Sequence, residues 1–571
     1  MEHRGVAAAA LICILGFFEA SKLRTVEGNG APRAQLSSIL DVNGDWHVHA
    51  GDNGGFIEME IIGELEKVDV KIWPMPVEVV LGEKPLYLDG HTFKFEVANL
   101  PSVPDTLAKA FVRYHAIIFS LHAQHSGSSS PALTKLIVTL GSQNEELQYG
   151  VDESYMLDVR DSSDSNVAYL EALTVYGALR GLETFSQLTS YNFTSKSVQI
   201  RRTPCFIKDF PRFPYRGLLI DTSRHYQPVT SIKRVLDSMA YSKLNVLHWH
   251  IVDEQSFPIE IPSYPLLWNG AYSYAERYTM DDAREIVEYA RLRGINVMPE
   301  LDVPGHAASW GVGYPELWPT SKCIEPLDVS SNFTFDVING IIEDFRTVFP
   351  FKFAHLGGDE VDTGCWERTS HIQNWLNVRN ITAKDAYADF VVRAQDIAIK
   401  HGYVPVNWEE TFHTFSSRLK KETVVHNWFQ SGTCAQAVKK GFSCILSDQS
   451  SWYLDHLDAT WDKFYETEPF SNIENKDEQD LMLGGEVCMW GETADESNIL
   501  QTIWPRAAAA AERLWSTLEY TKVGHTQAVS RFQHFRCLLN RREIPAAPIF
   551  YGSRFAYGRS SPYGPGSCFK Q

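Results

Sequence analysis

From Arg216 onward the chain repeats one rhythm: a short apolar run closing on polar residues, then a stretch with helical spacing. The runs read GLLIDTSR (217–224), NVLHWHIVD (245–253), INVMPELD (295–302), FKFAHLGGDE (351–360), YVPVNWEE (403–410), TVVHNW (423–428), SCILSDQSSWYLD (443–455) and LMLGGEVCMWGE (481–492). Between them lie amphipathic stretches such as VTSIKRVLDSMAYSK and TMDDAREIVEYARLRG, with apolar residues three and four apart. Continuous apolar strands alternating with helices predict an α/β fold, a parallel (β/α)8 TIM barrel. In such a barrel the C-terminal ends of the strands carry the functional side chains.

Ahead of the barrel, KLIVTL (135–140) reads as a strand and NVAYLEALTVYGALRGLETFSQL as a helix, which predicts a small α+β domain. CFIKDFPRFPYRG reads as a proline-containing connector. FIEMEI (56–61) alternates like a strand, but residues 23–71 have no functional reading. The N-terminus, MEHRGVAAAALICILGFFEASKL, has a basic start, an apolar run and small residues near Ala20, and reads as a secretory signal over residues 1–22. Its apolar run, Val6 to Phe18, falls short of the roughly 20 residues that span a bilayer, against a signal anchor and an integral membrane protein. The expected organisation is therefore a signal (1–22), an unassigned segment (23–71), an α+β domain (72–205) and the barrel with a C-terminal extension (206–571).

A formal charge of −19 without an offsetting basic stripe argues against nucleic acid as a partner. Fifteen tryptophans suit flat, hydroxyl-rich ligands better than phosphates. Asn192, Asn332 and Asn380 head Asn-x-Thr sequons, glycan acceptors in a secreted chain. With Cys13 in the signal, the remaining cysteines show no C-x-x-C spacing, so disulfides are expected in an oxidising compartment. Cys434 with Cys444, and Cys537 with Cys568, are close enough in sequence for local bridges; connectivity is otherwise open.

The run ends supply Arg224, Asp253, Asp302 with nearby His306, Asp359-Glu360, Trp408-Glu409, Trp428, Tyr453-Asp455 and Trp490-Glu492. A lone strand-end acid usually caps the next helix and a lone Trp is usually core. Their recurrence at successive ends points to a site instead. Aromatic faces pack on the C–H face of a pyranose while acids and Arg take its hydroxyls. Alternation along a strand end sends Asp359 and Glu360 in different directions, so the two take separate roles. A glutamate beside aromatic walls is expected to be desolvated and raised in pKa, as a general acid requires. Its neighbour stays ionised by accepting hydrogen bonds, the division of roles used in glycoside cleavage.

HLGGDEVDTGCW closely resembles the His-x-Gly-Gly-Asp-Glu motif of family-20 glycoside hydrolases, the β-N-acetylhexosaminidases. DTSRHYQPV (221–229), LHWHIVDEQSFP (247–258), MPELDVPGHAASW (298–310), WGE (490–492) and IWPMP (72–76) resemble further blocks of that family. The likeness runs from about residue 72 to the C-terminus and is nearest to eukaryotic lysosomal, vacuolar or secreted enzymes, plant ones especially. It implies an exo-acting, retaining enzyme that removes terminal GlcNAc or GalNAc, with the substrate's 2-acetamido oxygen as nucleophile. Glu360 is then the acid and base, and Asp359 holds the acetamido N–H. Arg224 and Glu492 match positions that bind sugar hydroxyls, and Asp455 a further sugar ligand. Trp408, Trp428 and Trp490 match the acetamido walls, Tyr453 the group bonding the acetamido oxygen, and Asp253 and His306 a support network.

The resemblance also implies a Cys323–Cys365 loop disulfide, no cofactor, N-acetylhexosamine-terminated glycans or chito-oligosaccharides as substrates, a homodimer, and a vacuolar, lysosomal or extracellular destination. The chain departs from the family in its long segment ahead of residue 72 and in lacking a cysteine pair for the N-terminal disulfide of animal relatives. Asp455-His456 stands where some relatives place a cation for charged sugars; Asp455 repels a sulfate, so neutral substrates are expected. Two rival readings remain. A metal-dependent hydrolase rests on His248, His250, Asp253, Asp302, His306 and Asp359, but no lysine or further His cluster completes a shell. A silent sugar-binding protein would be expected to lose Asp359 or Glu360, and both are intact.

Overall fold

The computed structural model describes residues 70–120, 132–160 and 166–549, together with the strands Leu36–Leu40 and Trp46–Ala50. Those two strands pair antiparallel, Leu36 opposite Ala50, within a separate unit spanning Met1–Asp69. The signal, FIEMEI and Cys568 lie outside the described residues.

The first sheet runs in the order Lys94–Val97, Lys135–Leu140, Val167–Ala172, Tyr155–Val159, Ser197–Asp209, Glu78–Leu88 and Ala132–Leu133. The helix expected over 166–188 is in part a strand. Val167–Ala172 alternates between partly exposed and buried positions and pairs parallel with Lys135–Leu140, so period two wins there. Thr174 then caps the helix Val175–Leu188, its hydroxyl accepting from the Gly177 amide. The connector too is largely strand: Ser197–Asp209 passes through position 205 and stays in the sheet to Asp209.

The helix Val175–Leu188 is buried over almost its full length because it packs on the sheet and also meets the barrel. Arg180 donates to the Gly294 carbonyl (2.7 Å), and Gln187 bonds Trp73 and the Tyr241 carbonyl. Glu153, in the loop just ahead of the strand Tyr155–Val159, receives the fully buried Arg216 at 2.7 and 2.8 Å, and Arg180 at 2.8 Å. A buried charge left without its partner is costly, so this triad locks the two halves in register.

The barrel closes from eight parallel strands: β1 (Tyr215–Asp221), β2 (Val246–Val252), β3 (Asn296–Leu301), β4 (Phe353–His355), β5 (Val404–Trp408), β6 (Val424–Asn427), β7 (Ser443–Leu446) and β8 (Met482–Met489), with β8 beside β1. Each expected run contains its strand except the first, whose strand begins two residues ahead of the run, at Tyr215. The interior is layered. Tyr215, Val246, Met298, Phe353, Val406, Val424 and Ile445 form an apolar floor. Above it His248, Glu300, His355, His426 and Glu486 are all fully buried, where such barrels more often hold branched aliphatic residues. They are tolerated because they pair. His248 lies 2.7 Å from Glu486 and 3.0 Å from Glu300, His355 lies 2.8 Å from Glu300, and the Tyr215 hydroxyl donates to Glu486 (2.6 Å). Leu219, Trp408, Tyr453 and Cys488 form the next layer, which opens to the rim.

Candidate active site

β4 is three residues long, and the chain leaves it through Leu356-Gly357-Gly358. Gly357 (φ 59°), Gly358 (φ 94°) and Glu360 (φ 50°) are all left-handed. A Cβ on Gly357 would fall 1.8 Å from the Asp302 carboxylate, so only glycine fits. Asp359 and Glu360 therefore do not continue a strand. Their divergence comes from the left-handed loop, not from the strand alternation expected of them. The Asp359 side chain is 13% exposed and that of Glu360 61%. The loop is tied down by the Gly358 amide on Asp302 (2.9 Å), the Tyr387 hydroxyl on the Gly358 carbonyl, and the Cys323–Cys365 disulfide just beyond Glu360. Cys434 and Cys444 form a second, local bridge.

His306 stands between the two acids, its Nε2 3.6 Å from Asp359 Oδ2 and 3.5 Å from Glu360 Oε2. Its Nδ1 lies 3.0 Å from Asp253 Oδ1. Asp253 is fully buried beneath the site, and its Oδ2 meets Arg224 (2.8 Å) and His250 (2.7 Å). Arg224 is also held by Asp221 (3.1 Å) and lies over the Trp490 ring at 5.2 Å.

Trp408, Trp428, Tyr453 and Trp490 wall the pocket, with Trp408 and Trp490 6.0 Å apart and Trp428 nearly parallel to Tyr453 at 6.4 Å. Tyr453 and Asp455 do not end a strand as expected. β7 stops at Leu446, a helical turn over Gln449–Trp452 follows, and Tyr453 reaches the rim by bridging to Cys488 of β8. Asp455, His456 and Glu492 complete the lining. Of the residues named at the run ends, Arg224, His306, Asp359, Glu360, Trp408, Trp428, Tyr453, Asp455, Trp490 and Glu492 line the pocket and Asp253 supports it from below, whereas Asp302 and Glu409 stand outside its wall and hold loop backbone instead. Three polar atoms in this pocket, Arg224 Nε, Asp359 Oδ1 and Asp455 Oδ1, are buried and have no hydrogen-bond partner among the described residues. Such atoms are rare in native structures, and together with the aromatic walls they call for a ligand rich in hydroxyl and amide groups.

Residues 213–518 match the catalytic domain of glycosyl hydrolase family 20, and residues 72–188 match a "beta-acetyl hexosaminidase like" domain. Beta-hexosaminidase 1 of Arabidopsis thaliana is 55% identical, over 88% of this chain and 94% of that protein. The beta-hexosaminidase subunit beta of Homo sapiens is 37% identical, over 84% of this chain and 89% of that one. Among solved structures, the Flavobacterium johnsoniae chitobiase is similar with a TM-score of 0.74 and 31% identity, over 84% of this chain and 74% of that one.

The chain belongs to glycosyl hydrolase family 20. It is an exo-acting, retaining β-N-acetylhexosaminidase that works by substrate assistance. In this family 20 enzyme the pairing of the acids differs from expectation on one point. Glu360 is held below the usual carboxylate range, not above it, because His306 hydrogen-bonds its carboxylate and outweighs its burial. His306 is itself pushed far above the usual imidazole range: burial opposes this, but Asp359 and Asp302 override it. Burial first, then the charge of Asp359, raise Asp302 well above the carboxylate range. Burial likewise pushes Asp455 up to about 6.

His306 thus lowers Glu360 in the free enzyme, and displacement of water by a bound sugar is expected to raise it. The alkaline limb of kcat, which reports the complex, is expected at higher pH than that of kcat/KM, which reports the free enzyme. His306→Asn should raise the kcat/KM limb by removing the hydrogen bond that stabilises the carboxylate. Coincident limbs in the unmodified enzyme, with no shift in His306→Asn, would contradict this account.

Among the described residues, four sets of three donors lie within 4.8 Å: His248, His426 and Glu486; His248, Glu300 and His355; His250, Glu300 and Asp302; and Asp302, His306 and Asp359. The first three belong to the buried layer, where Glu486 and Glu300 lie 2.5 to 3.0 Å from the nitrogens of His248, His250 and His355. Burial opposes protonation of His248, yet Glu486 and Glu300 lift it to about 9. Of this layer the sequence singled out only His248, as a metal-ligand candidate; Glu300, His355, His426 and Glu486 look like ordinary mid-strand residues. Sequence reading also missed Glu410, for which the doubled acid in NWEETF was the available signal.

Proposed function

We propose that the rim pocket takes a terminal N-acetylhexosamine with its acetamido group between Trp408, Trp428 and Trp490. Asp359 Oδ1, buried and unpaired, accepts the acetamido N–H, and this orphaned acceptor carries the assignment. Asp359 thereby turns the acetamido oxygen toward the anomeric carbon and faces the positive charge of the oxazolinium-like intermediate. The Tyr453 hydroxyl bonds the acetamido oxygen. Glu360, half out in the cleft, gives its proton to the leaving oxygen and later takes one from water. Arg224, Asp455 and Glu492 bond the sugar hydroxyls, and Asp253 holds Arg224 and His306 in place.

The substrates in this reading are neutral GlcNAc- or GalNAc-terminated glycans or chito-oligosaccharides, since the carboxyls of Asp455 and Glu492 line the pocket where a charged sugar would need a cation. The enzyme works in the vacuole, lysosome or extracellular space, with an acidic optimum, as a homodimer bearing glycans at Asn192, Asn332 and Asn380. Among the described residues no helix is long and apolar enough to cross a membrane. Release rates from aryl GlcNAc, aryl GalNAc and 6-sulfated aryl GlcNAc across pH test the reading. Neutral sugars should be cleaved fastest, with a maximum in the acid range. A rate that peaks above pH 8, or preference for the sulfated sugar, would overturn it.

A further inference from the structure

Glu409 and Glu410 follow Trp408 at the end of β5 and open the short helix Glu409–Phe415. They resemble the Asp359-Glu360 pair in form, and they too divide their contacts. Glu409 is buried and holds backbone: it accepts from the amides of Trp428 (3.3 Å), Phe429 (3.2 Å) and Gln430 (2.6 Å) and from the Asn427 side chain (2.6 Å). It therefore shapes the loop after β6. Glu410 is partly buried and holds a side chain: both of its oxygens lie 3.0 Å from the Trp428 indole nitrogen. Its helix also abuts the other catalytic loop, since a Cβ on Gly358 would lie 2.9 Å from the Thr411 methyl.

Glu410 thus stands between the wall Trp428 and the loop that carries Asp359. Burial first, and then the charge of Asp359, push its carboxyl up to about 8. At acidic and neutral pH it is a neutral acid that accepts the indole N–H without setting a second negative charge beside Asp359. The indole can turn about its side-chain bonds only if that hydrogen bond breaks. The Trp428 ring face, the face nearly parallel to Tyr453, is thereby fixed at a set distance from Asp359.

We propose that Glu410 is a positioning residue that locks Trp428 against the Asp359 loop and so sets the size of the N-acyl group the pocket accepts. The proposal rests on the acetamido reading of this pocket. Glu410 touches no reacting atom; it acts through Trp428.

The test uses the full-length enzyme and the variants Glu410→Gln, Glu410→Ala, Trp428→Phe and Glu410→Ala/Trp428→Phe. Aryl N-acetyl- and N-propionyl-β-glucosaminides serve as substrates. Loss of one partly buried hydrogen bond corresponds to about tenfold, so Glu410→Ala is expected to raise KM for the N-acetyl substrate about tenfold, with a smaller change in kcat. The acetyl-over-propionyl preference in kcat/KM should fall by a similar factor. Glu410→Gln keeps an acceptor for the indole N–H and should stay within about threefold of the unmodified enzyme. In the Trp428→Phe background, which has no N–H to hold, Glu410→Ala should add no more than about twofold.

An equal penalty for Glu410→Ala in both backgrounds would overturn the proposal. So would a loss of kcat in Glu410→Gln with the acyl preference intact, which would mark Glu410 as acting through its charge. Should Glu410→Ala fail to fold, Glu410→Gln and Trp428→Phe still decide the matter, because the proposal requires the first to keep the acyl preference and the second to lose it. If the unmodified enzyme shows no acetyl preference, the acetamido reading itself fails, an outcome distinct from failure of the coupling to Trp428.

Discussion

Glu360→Gln is expected to lower kcat on substrates with poor leaving groups by about three orders of magnitude, within the 10²–10⁴ range of a single general acid–base group. KM should move little. Glutamine keeps the shape of the side chain and its contact with His306, and the Glu360 side chain is 61% exposed, so little of the sugar's binding depends on it. The loss should shrink for aryl glycosides whose leaving groups depart without a proton. Steady-state rates on an alkyl and a nitrophenyl GlcNAc glycoside measure both effects. A variant that turned over both near the normal rate would remove Glu360 from the mechanism.

Asp359→Asn is expected to be of similar size but different in kind. The side chain is mostly buried, with one oxygen unpaired and the other facing His306. Asparagine presents an amide of the same shape, so the fold should hold. The negative charge opposite the developing oxazolinium is lost, and half of the group now donates where an acceptor is needed. Removing one preorganised electrostatic contact to a transition state costs about 2.7–4 kcal/mol, which is about 10²–10³ in kcat. KM should rise as well, because the same oxygen orients the acetamido group in the ground state. A fall in kcat with KM unchanged would place Asp359 outside acetamido binding. Together the two variants separate proton transfer from orientation: one moves kcat and tracks the leaving group, the other moves both constants and does not.

The eight barrel strands were legible because parallel strands buried on both faces read as continuous apolar runs, and their polar ends marked the rim. Asp359 and Glu360 were legible through their motif, but the reason they diverge was not. Three left-handed residues around them depend on the close approach of Asp302, from a loop distant in sequence. The depressed titration of Glu360 was hidden for the same reason, since it comes from His306, brought in by the loop after β3. Tyr453 illustrates a third case. SCILSDQSSWYLD looks like one strand, but Asp448 caps a helical turn by accepting from the Ser450 amide, and that turn interrupts the strand before Tyr453. Val167–Ala172 was merged into the helix that follows it because six residues of alternation are short beside an apolar fourteen-residue helix.

The charged layer inside the barrel bears on how this enzyme can diverge or be redesigned. Its members come from β2, β3, β4, β6 and β8, with the Tyr215 hydroxyl from β1. An aliphatic layer can drift one residue at a time, since a neighbour of similar volume is tolerated. Here a single change at His248, Glu300 or Glu486 strands a buried charge, at about 3–5 kcal/mol, so one-step paths through those positions run through a poorly folded intermediate. Grafting one strand from a barrel of another lineage would import the wrong half of a pair. The layer is therefore a unit of inheritance, to be kept whole or replaced whole, while the rim loops above it remain free to change specificity.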